Sequence, residues 1–119
     1  MNYKLRKNEI LREYKLINLI KNSKNIFKTN LLSIKYLYVN KIDNSNIKCL
    51  FYIPKKLFKK AVDRNKLRRR IKESFRLNKH NLYIKNDQLL ILSIMYINKD
   101  IESFKNINDS ILKIINIFL

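Results

Sequence analysis

The sequence contains no glycine, a single proline (Pro54), and no Ser-rich or low-complexity run beyond a general excess of Asn, Lys and Ile. Flexible linkers between domains are usually rich in the residue types missing here, so no boundary between domains is indicated. A chain of 119 residues is long enough for one modest hydrophobic core. We therefore expect a single domain over residues 1–119.

Cysteine and long apolar runs are equally scarce. The single cysteine, Cys49, excludes an intramolecular disulfide and favours a reducing compartment. The longest nearly unbroken apolar stretch, residues 89–97, is too short to span a bilayer. The N-terminal sequence MNYKLRKNEILREYK lacks the apolar core of a secretory signal. These absences predict a cytoplasmic protein that does not associate with a membrane.

Acidic residues are few, with nine Asp and Glu against 27 Lys and Arg and a net charge of +18. Such a charge repels itself in the folded state, which favours a polyanionic partner, with nucleic acid first and an anionic membrane surface as the alternative. Because a composition rich in Lys, Asn and Ile is also typical of AT-biased genomes, arginine is the more informative residue. Five of the seven arginines lie between residues 64 and 76. A planar guanidinium with several donors suits phosphate and base edges better than an ammonium does.

The acidic residues do not form a catalytic or metal-binding pattern. They are scattered, and only Asp100 and Glu102 stand close together in a way that resembles a site. Those two are better explained as residues at the start of a helix, where acidic side chains are favoured. His80 is the only histidine, and a lone histidine is more often a surface residue than a catalyst. The sequence therefore predicts no catalytic residue and no metal ligand in the protein.

Apolar periodicity predicts a helix and then a hairpin in the first half of the chain. Residues 8–22 carry apolar side chains at helical spacing. Residues 30–40 and 47–53 are rich in β-branched and aromatic residues, and we expect them to pair as antiparallel strands. The connecting DNSN at residues 43–46 would supply the positive-φ positions that glycine usually takes. Pro54 is expected to end the second strand.

The second half of the chain is expected to form a helix, a strand and a last helix. Asp63 is a plausible N-cap for the first of these helices, although the helix could begin a few residues earlier. We expect this helix to end at about Asn78. Residues 87–97 are apolar on both faces, as in a central strand. An apolar stripe over residues 104–118 marks the last helix. The order helix-strand-strand-(strand)-helix-strand-helix predicts an α+β fold with a mainly antiparallel sheet, similar to ribosomal proteins.

The arginine-rich helix has one apolar and one cationic side. Leu67, Ile71 and Phe75 share one side through their i, i+4 spacing. A solvated helix usually mixes charges of both signs, but here Glu73 alone stands against a row of cations. We therefore expect the cationic side to contact RNA or DNA rather than only water. We call it the basic ridge, and it comprises Arg64, Asn65, Lys66, Arg68, Arg69, Lys72 and Arg76.

At these residues the sequence resembles a known family. The segment KKAVDRNKLRRRIKESFRLNK, residues 59–79, is similar to the signature of the protein component of bacterial ribonuclease P. That signature has lysines before an Ala-Val, an Arg-Asn-Arg core and a helix of the Lys-Arg-x-x-Arg-Glu type. The third core position is Lys66 here, which keeps the charge and gives up bidentate geometry. The resemblance continues through the first helix, YIPKK, LLILSIMYI and the last helix.

The resemblance implies a role in a ribonucleoprotein. The family's protein is the small subunit of the enzyme that removes the 5′ leader from precursor tRNA, while the large RNA performs the hydrolysis with bound Mg²⁺. The protein alone is then expected to bind no cofactor and to supply no catalytic group. Its expected partners are ribonuclease P RNA, which the basic ridge would contact, and precursor tRNA. No obligate protein partner is expected.

The resemblance also implies a cleft between the first helix and the sheet that takes the single-stranded leader. Tyrosines of the strands would stack on bases there, and paired lysines would follow the backbone. Tyrosine at every second strand position is equally consistent with half-buried packing. The family's aromatic positions on the first helix fall near Ile17, Leu19 or Ile20. We call these candidates the leader set, and it comprises Lys55, Lys56, Tyr36, Tyr52, Ile17 and Ile20.

Three alternatives remain at this stage. A structural RNA-binding protein of the ribosomal type would share the composition, and only the Ala-Val-x-Arg-Asn pattern after the lysines argues against it. An autonomous nuclease is disfavoured because an acidic cluster is missing. A cationic protein of the membrane surface that uses residues 8–22 would leave the strands and the basic helix unexplained.

Overall fold

The computed structural model describes residues 5–82 and 87–118, which have the α+β architecture that the sequence predicts. No helix within these two ranges is long and apolar enough to cross a lipid bilayer. Single turns of 3-10 helix lie at Lys7–Glu9 and Lys79–Asn81. The main elements are α1 (Tyr14–Lys21), β1 (Ile26–Lys28), β2 (Leu32–Asn40), β3 (Ile47–Tyr52), α2 (Ala61–Asn78), β4 (Gln88–Tyr96) and α3 (Phe104–Asn116).

The last strand in the sequence lies inside the sheet. The strand order is β1-β2-β4-β3, and β4 runs antiparallel to β2 and parallel to β3. Leu89 and Ile91 of β4 pack toward α1, whereas Leu92 and Ile94 belong to the larger core beneath α2 and α3. Burying both faces of β4 removes the most apolar surface from water, since buried apolar area is the main favourable term in folding. The prediction of a central strand covered on both sides is confirmed.

The predicted hairpin is wrong, because β2 and β3 are not neighbours. β4 lies between them, and the connection from β2 to β3 passes the beginning of β4, where Leu90 N donates to Asn46 O at 2.9 Å. Asp43 Oδ1 accepts from Ser45 N at 2.7 Å and shapes this connection. Among the described residues no backbone adopts a positive φ, so the DNSN segment is not the tight turn of a hairpin. A wider loop suffices to cross one intervening strand, a distance of roughly 10 Å.

The first helix is shorter than predicted. Residues 8–22 were expected to be helical, but α1 begins at Tyr14, and the segment before it lies along the outer edge of β3. Ile10 forms a parallel bridge with Cys49, and Leu11 N donates to Cys49 O at 2.8 Å. This bridge pairs part of an edge strand whose N–H and C=O groups would otherwise be exposed. The helical periodicity therefore holds only for the second half of the predicted segment.

The helices α2 and α3 cover the other face of the sheet. α2 begins at Ala61, with Asp63 in its first turn rather than at the N-cap, and ends at Asn78 as predicted. Its docking stripe is confirmed, because Leu67, Ile71 and Phe75 are buried. The N-cap of α3 is Ser103, whose hydroxyl accepts from Asn106 N at 3.2 Å. Asp100 and Glu102 precede this cap, where their segment is held by the hydroxyl of the buried Tyr96.

A buried lysine joins three segments on the α1 side of the sheet. Lys48 of β3 is 1% exposed, and its Nζ lies 3.3 Å from Glu13 Oε2 and 3.1 Å from Asp43 Oδ2. Glu13 is the N-cap of α1, and Asp43 belongs to the loop between β2 and β3. A buried ammonium is tolerated only when it is well paired. Hydrogen bonds from Ser45, together with the contact with Lys48, lower the pKa of Asp43 from 3.8 to about 2.

The lowered pKa predicts acid destabilisation centred on this loop. The stability that Asp43 contributes is fully present above its ordinary pKa of 3.8 and is lost as the pH falls toward about 2. We expect Asp43→Asn to cost about 1 kcal/mol at neutral pH, because water screens a partly exposed carboxylate. Urea unfolding as a function of pH measures this, and the variant should have the flatter profile. Asp109→Asn, which replaces an exposed acid of α3, should keep the wild-type slope, and equal slopes for all three proteins would contradict the assignment.

Candidate nucleic-acid interface

The start of α2 is fixed by an arginine of the basic ridge. Arg64 Nη1 donates to Phe58 O and to Lys59 O, both at 2.8 Å. These bonds satisfy carbonyls of the segment that leads into the helix. Phe58 itself is buried and packs against Tyr96, with ring centroids 5.8 Å apart. Arg64 therefore has a structural role in addition to its charge.

The middle of the ridge is more open. Arg68 Nη1 donates to Asn65 Oδ1 at 2.8 Å, which orients the guanidinium along the helix surface. Arg69 is exposed, and Lys66 and Lys72 are partly exposed. A guanidinium that is held as that of Arg68 is presents its donors without a large loss of side-chain entropy on binding. The ridge is thus a continuous cationic surface, as the helical wheel predicts.

Part of the basic ridge and part of the leader set line one groove of about 460 Å³. One wall is the end of β3 and the turn that follows it, and the other wall is the first half of α2. We call this the strand-end groove, and its lining residues are Tyr52, Ile53, Pro54, Lys55, Lys56, Arg64, Asn65 and Arg68. The buried Pro54 accepts hydrogen bonds from Leu57 N and Phe58 N. This turn leaves the two lysines exposed at the rim.

Tyr36 and Ile20 of the leader set lie outside the strand-end groove. Tyr36 pairs with Leu92 across the sheet, on the face that α2 and α3 cover, and its ring packs edge-on against Phe118 with centroids 5.2 Å apart. Ile20 is 1% exposed and belongs to the core between α1 and the sheet. The expectation that these two side chains line a cleft beside the first helix is therefore wrong. Neither can offer a surface to an RNA strand in that cleft.

Two further members of the leader set, Tyr52 and Ile17, lie on the α1 side of the sheet. Tyr52 pairs with Met95, whose side chain shares the face of Ile91, and Tyr52 is 49% exposed. Ile17 is partly buried and packs against the core between α1 and the sheet. Alternation along a strand predicts that Tyr36 and Tyr38 lie on the same face of the sheet. It does not predict on which face Tyr52, which belongs to another strand, lies. Which tyrosine shares a face with α1 depends on the sheet register, which the sequence does not reveal.

A second groove, of about 760 Å³, lies along the outer side of α2. We call it the helix groove, and its lining residues are Leu5, Ile10, Lys66, Arg69, Arg70, Lys72, Glu73, Arg76 and Phe104. Four of these belong to the basic ridge, whereas sequence reasoning missed the apolar residues and left Arg70 outside the ridge. Phe104 continues the apolar stripe of α3, which predicts a core position, yet its side chain is 37% exposed. Phe104 is the first residue of α3, and at this end of the helix the apolar stripe extends beyond the core.

The single carboxylate of this groove is paired with an arginine. Arg76 Nε donates to Glu73 Oε2 at 2.7 Å, and Arg76 Nη2 donates to Glu73 Oε1. Hydrogen bonding from Arg76 lowers the pKa of Glu73, so the side chain remains a carboxylate at neutral pH. This fork engages the guanidinium of Arg76, which is therefore less available to a phosphate than Arg69 is. The basic ridge is not uniform along its length.

The acidic residues that resemble a site in the sequence have structural partners. Asp100 O accepts from the hydroxyl of Tyr96, and Glu102 Oε2 accepts from Asn106 Nδ2 at 2.9 Å. Within residues 5–82 and 87–118, no three His, Cys, Asp or Glu side chains are grouped to hold a metal ion. His80 is exposed in the turn after α2.

The fold and the grooves define a small, strongly basic α+β protein with a cationic helix docked on a mixed sheet. The family model for ribonuclease P matches residues 5–116. The chain therefore belongs to the ribonuclease P protein family, the protein component of a tRNA-processing ribonucleoprotein endoribonuclease. Comparison with curated proteins gave no sequence match.

Solved structures of this family have the same fold. The ribonuclease P protein from Staphylococcus aureus is 20% identical and superposes with a TM-score of 0.72, over 95% of this chain and 100% of that one. The ribonuclease P protein from Thermotoga maritima is 22% identical and also has a TM-score of 0.72, over 93% and 98% of the two chains. At these identities the likeness concerns the fold alone.

Proposed function

We propose that this chain binds the RNA subunit of ribonuclease P and the 5′ leader of precursor tRNA, and so assists removal of the leader. The strand-end groove is the observation that carries the proposal. Tyr52, Lys55 and Lys56 line the same groove as Arg64, Asn65 and Arg68. An exposed aromatic ring in a groove with cations on both walls suits a single strand, because bases stack on the ring while phosphates contact the cations.

The division of labour in this proposal leaves the chemistry to RNA. The protein would supply cations and a stacking surface, and Mg²⁺ would be held by the RNA subunit and the substrate. A cationic protein lowers the Mg²⁺ concentration that such a complex needs, because it neutralises phosphates that would otherwise repel one another. A cytoplasmic location is part of the proposal, since the buried thiol of Cys49 needs no oxidising compartment.

Reconstitution at low Mg²⁺ tests this function. The protein is mixed with a bacterial ribonuclease P RNA and a precursor tRNA, and the cleavage rate is compared with that of the RNA alone. We expect a clear enhancement, whereas a structural RNA-binding protein of the ribosomal type would give none. An unchanged cleavage rate contradicts the proposal.

A tyrosine pair tests the groove through binding of the same precursor tRNA. Tyr52→Ala removes a stacking platform and should weaken binding of the leader by about 5- to 100-fold, the range for loss of one stacked base. Tyr38→Ala is the matched control, because Tyr38 is 41% exposed but pairs with Leu90 on the opposite face of the sheet. Equal losses in the two variants would argue against the strand-end groove as the leader site.

A further inference from the structure

The helix groove differs chemically from a surface that binds only the phosphates of a nucleic acid. Besides its cations, the groove is lined by apolar side chains and by one carboxylate, that of Glu73. A run of phosphates is bound best by cations alone, and a carboxylate beside it is repulsive. The groove therefore suits a ligand with a negative charge at one end, an apolar flat body, and a hydrogen-bond donor that can reach Glu73.

Glu73 retains acceptor capacity toward the groove. The fork from Arg76 uses one hydrogen bond at each carboxylate oxygen, and an ionised carboxylate has about four lone-pair sites. The Glu73 side chain is 46% exposed, so solvent or a ligand has access to the remaining sites. Hydrogen bonding from Arg76 also keeps the pKa of Glu73 low, so the group accepts and does not donate at neutral pH.

Phe104 provides the flat apolar surface. Arg70 Nη1 donates to Glu102 O, which ties the segment before α3 to α2. This bond holds the first residue of α3 beside the groove that Glu73 and Arg69 also line. A partly exposed ring at the rim of a cationic groove is a stacking surface for a nucleobase.

We propose that the helix groove binds one unpaired RNA nucleotide, with its base on Phe104, an exocyclic amine donating to Glu73, and its phosphate near Arg69 or Lys72. The proposal rests on the RNA-binding function proposed above and assigns base selectivity to it. Cytosine and adenine carry an exocyclic amine at positions 4 and 6, and guanine carries one at position 2, whereas uracil has carbonyl oxygens and no exocyclic amine. The groove should therefore discriminate against uracil. An acidic peptide fits less well, because its carboxylates would meet Glu73.

Cytidine and uridine give the sharpest comparison, because the two bases have the same size and differ at position 4. The probes are a short oligouridine and the same strand with central cytidines, and the dissociation constants are measured at fixed salt. We expect the cytidine strand to bind about 5- to 100-fold more tightly, the range for one good contact to a base edge. Equal affinities for the two strands would overturn the proposal.

The variant Glu73→Gln separates selectivity from charge. Its amide both donates and accepts, so the preference for cytidine should vanish while binding of oligouridine strengthens. Asp63→Asn is the control, because it removes one negative charge from the first turn of the same helix and lies outside the helix groove. It should strengthen binding of both strands equally. A preference that survives Glu73→Gln, or disappears in Asp63→Asn, contradicts the assignment.

Phe104→Ala tests the stacking surface. It should weaken binding of both strands by about 5- to 100-fold, whereas Leu112→Ala, which removes a similarly exposed side chain from α3, should change neither. Thermal unfolding of both variants checks that α3 remains docked. If a glutamate oligomer of equal length displaces RNA from the wild type but not from Phe104→Ala, the groove is a peptide site and the proposal fails.

The two proposals fail separately. Loss of cleavage enhancement in the reconstituted enzyme would overturn the proposed function whatever the base preference is. Normal enhancement with no preference between cytidine and uridine would overturn only the role of the helix groove.

Discussion

Replacing Arg68 and Arg69 with alanine is expected to weaken binding of ribonuclease P RNA and to flatten its salt dependence. Arg68 lines the strand-end groove and Arg69 lines the helix groove, so the double variant removes one guanidinium from each. Loss of two charge-assisted contacts should cost about 3 to 6 kcal/mol if both are fully formed. The slope of log K against log salt should decrease by about 1.4 to 1.8 when two phosphate contacts disappear.

The control for this variant removes equal charge at a distance. Lys99→Ala with Lys113→Ala replaces two exposed lysines on or near α3, and it lowers the net charge from +18 by two, as the arginine variant does. Filter binding or fluorescence anisotropy over a salt series measures both proteins. If the two double variants have the same affinity and slope, binding follows net charge alone and the basic ridge has no special role.

Phe75→Ala is expected to produce the largest loss of stability. The ring is 1% exposed and packs edge-on against Phe51 of β3, with centroids 5.9 Å apart. Removing a buried aromatic ring costs about 3 to 5 kcal/mol, because transfer free energy is lost and a cavity remains. This is a large part of the 5 to 15 kcal/mol, roughly, that stabilises a typical domain. Urea unfolding gives the change directly.

A surface leucine on the same helix is the control for Phe75→Ala. Leu77 is 37% exposed, and Leu77→Ala should change the free energy of unfolding by less than about 0.5 kcal/mol. RNA affinity, corrected for the folded fraction, should stay near wild type in the Phe75 variant. A loss of stability below 1 kcal/mol, roughly, would mean that this ring does not dock α2 on the sheet.

The successful predictions concern patterns that are local in the chain. Leu67, Ile71 and Phe75 share a helix face by spacing alone, and burial then requires that face to meet the sheet. Residues 89–92 are apolar at four consecutive positions, which requires cover on both faces of a strand. The basic ridge follows from the same helical geometry, and its contact with RNA stays a prediction.

The errors concern relations between distant segments. The DNSN segment indicates a turn, but turn chemistry does not determine whether the flanking strands are neighbours, and β4 separates them. Ile10 fits the apolar stripe of a helix as well as it fits the bridge that it forms with Cys49. The separation of Tyr36 from Tyr52 on opposite faces depends on pairing with β4. The helix groove went unpredicted because Phe104 and Glu73 line the same groove only through the docking of α3 on α2.

The parallel pairing of β3 with β4 also links folding of the chain to binding of the proposed RNA partner. In the sequence, α2 lies between these two strands. The central strand β4 can therefore pair with β3 only when the cationic segment that separates them has been folded back to the sheet. The repulsion among the cations of α2 therefore opposes the step that completes the core. An RNA that binds the folded chain removes this repulsion and stabilises the native state by mass action. The midpoint of thermal unfolding should then rise with RNA concentration, and polyanion should speed refolding most when salt is low.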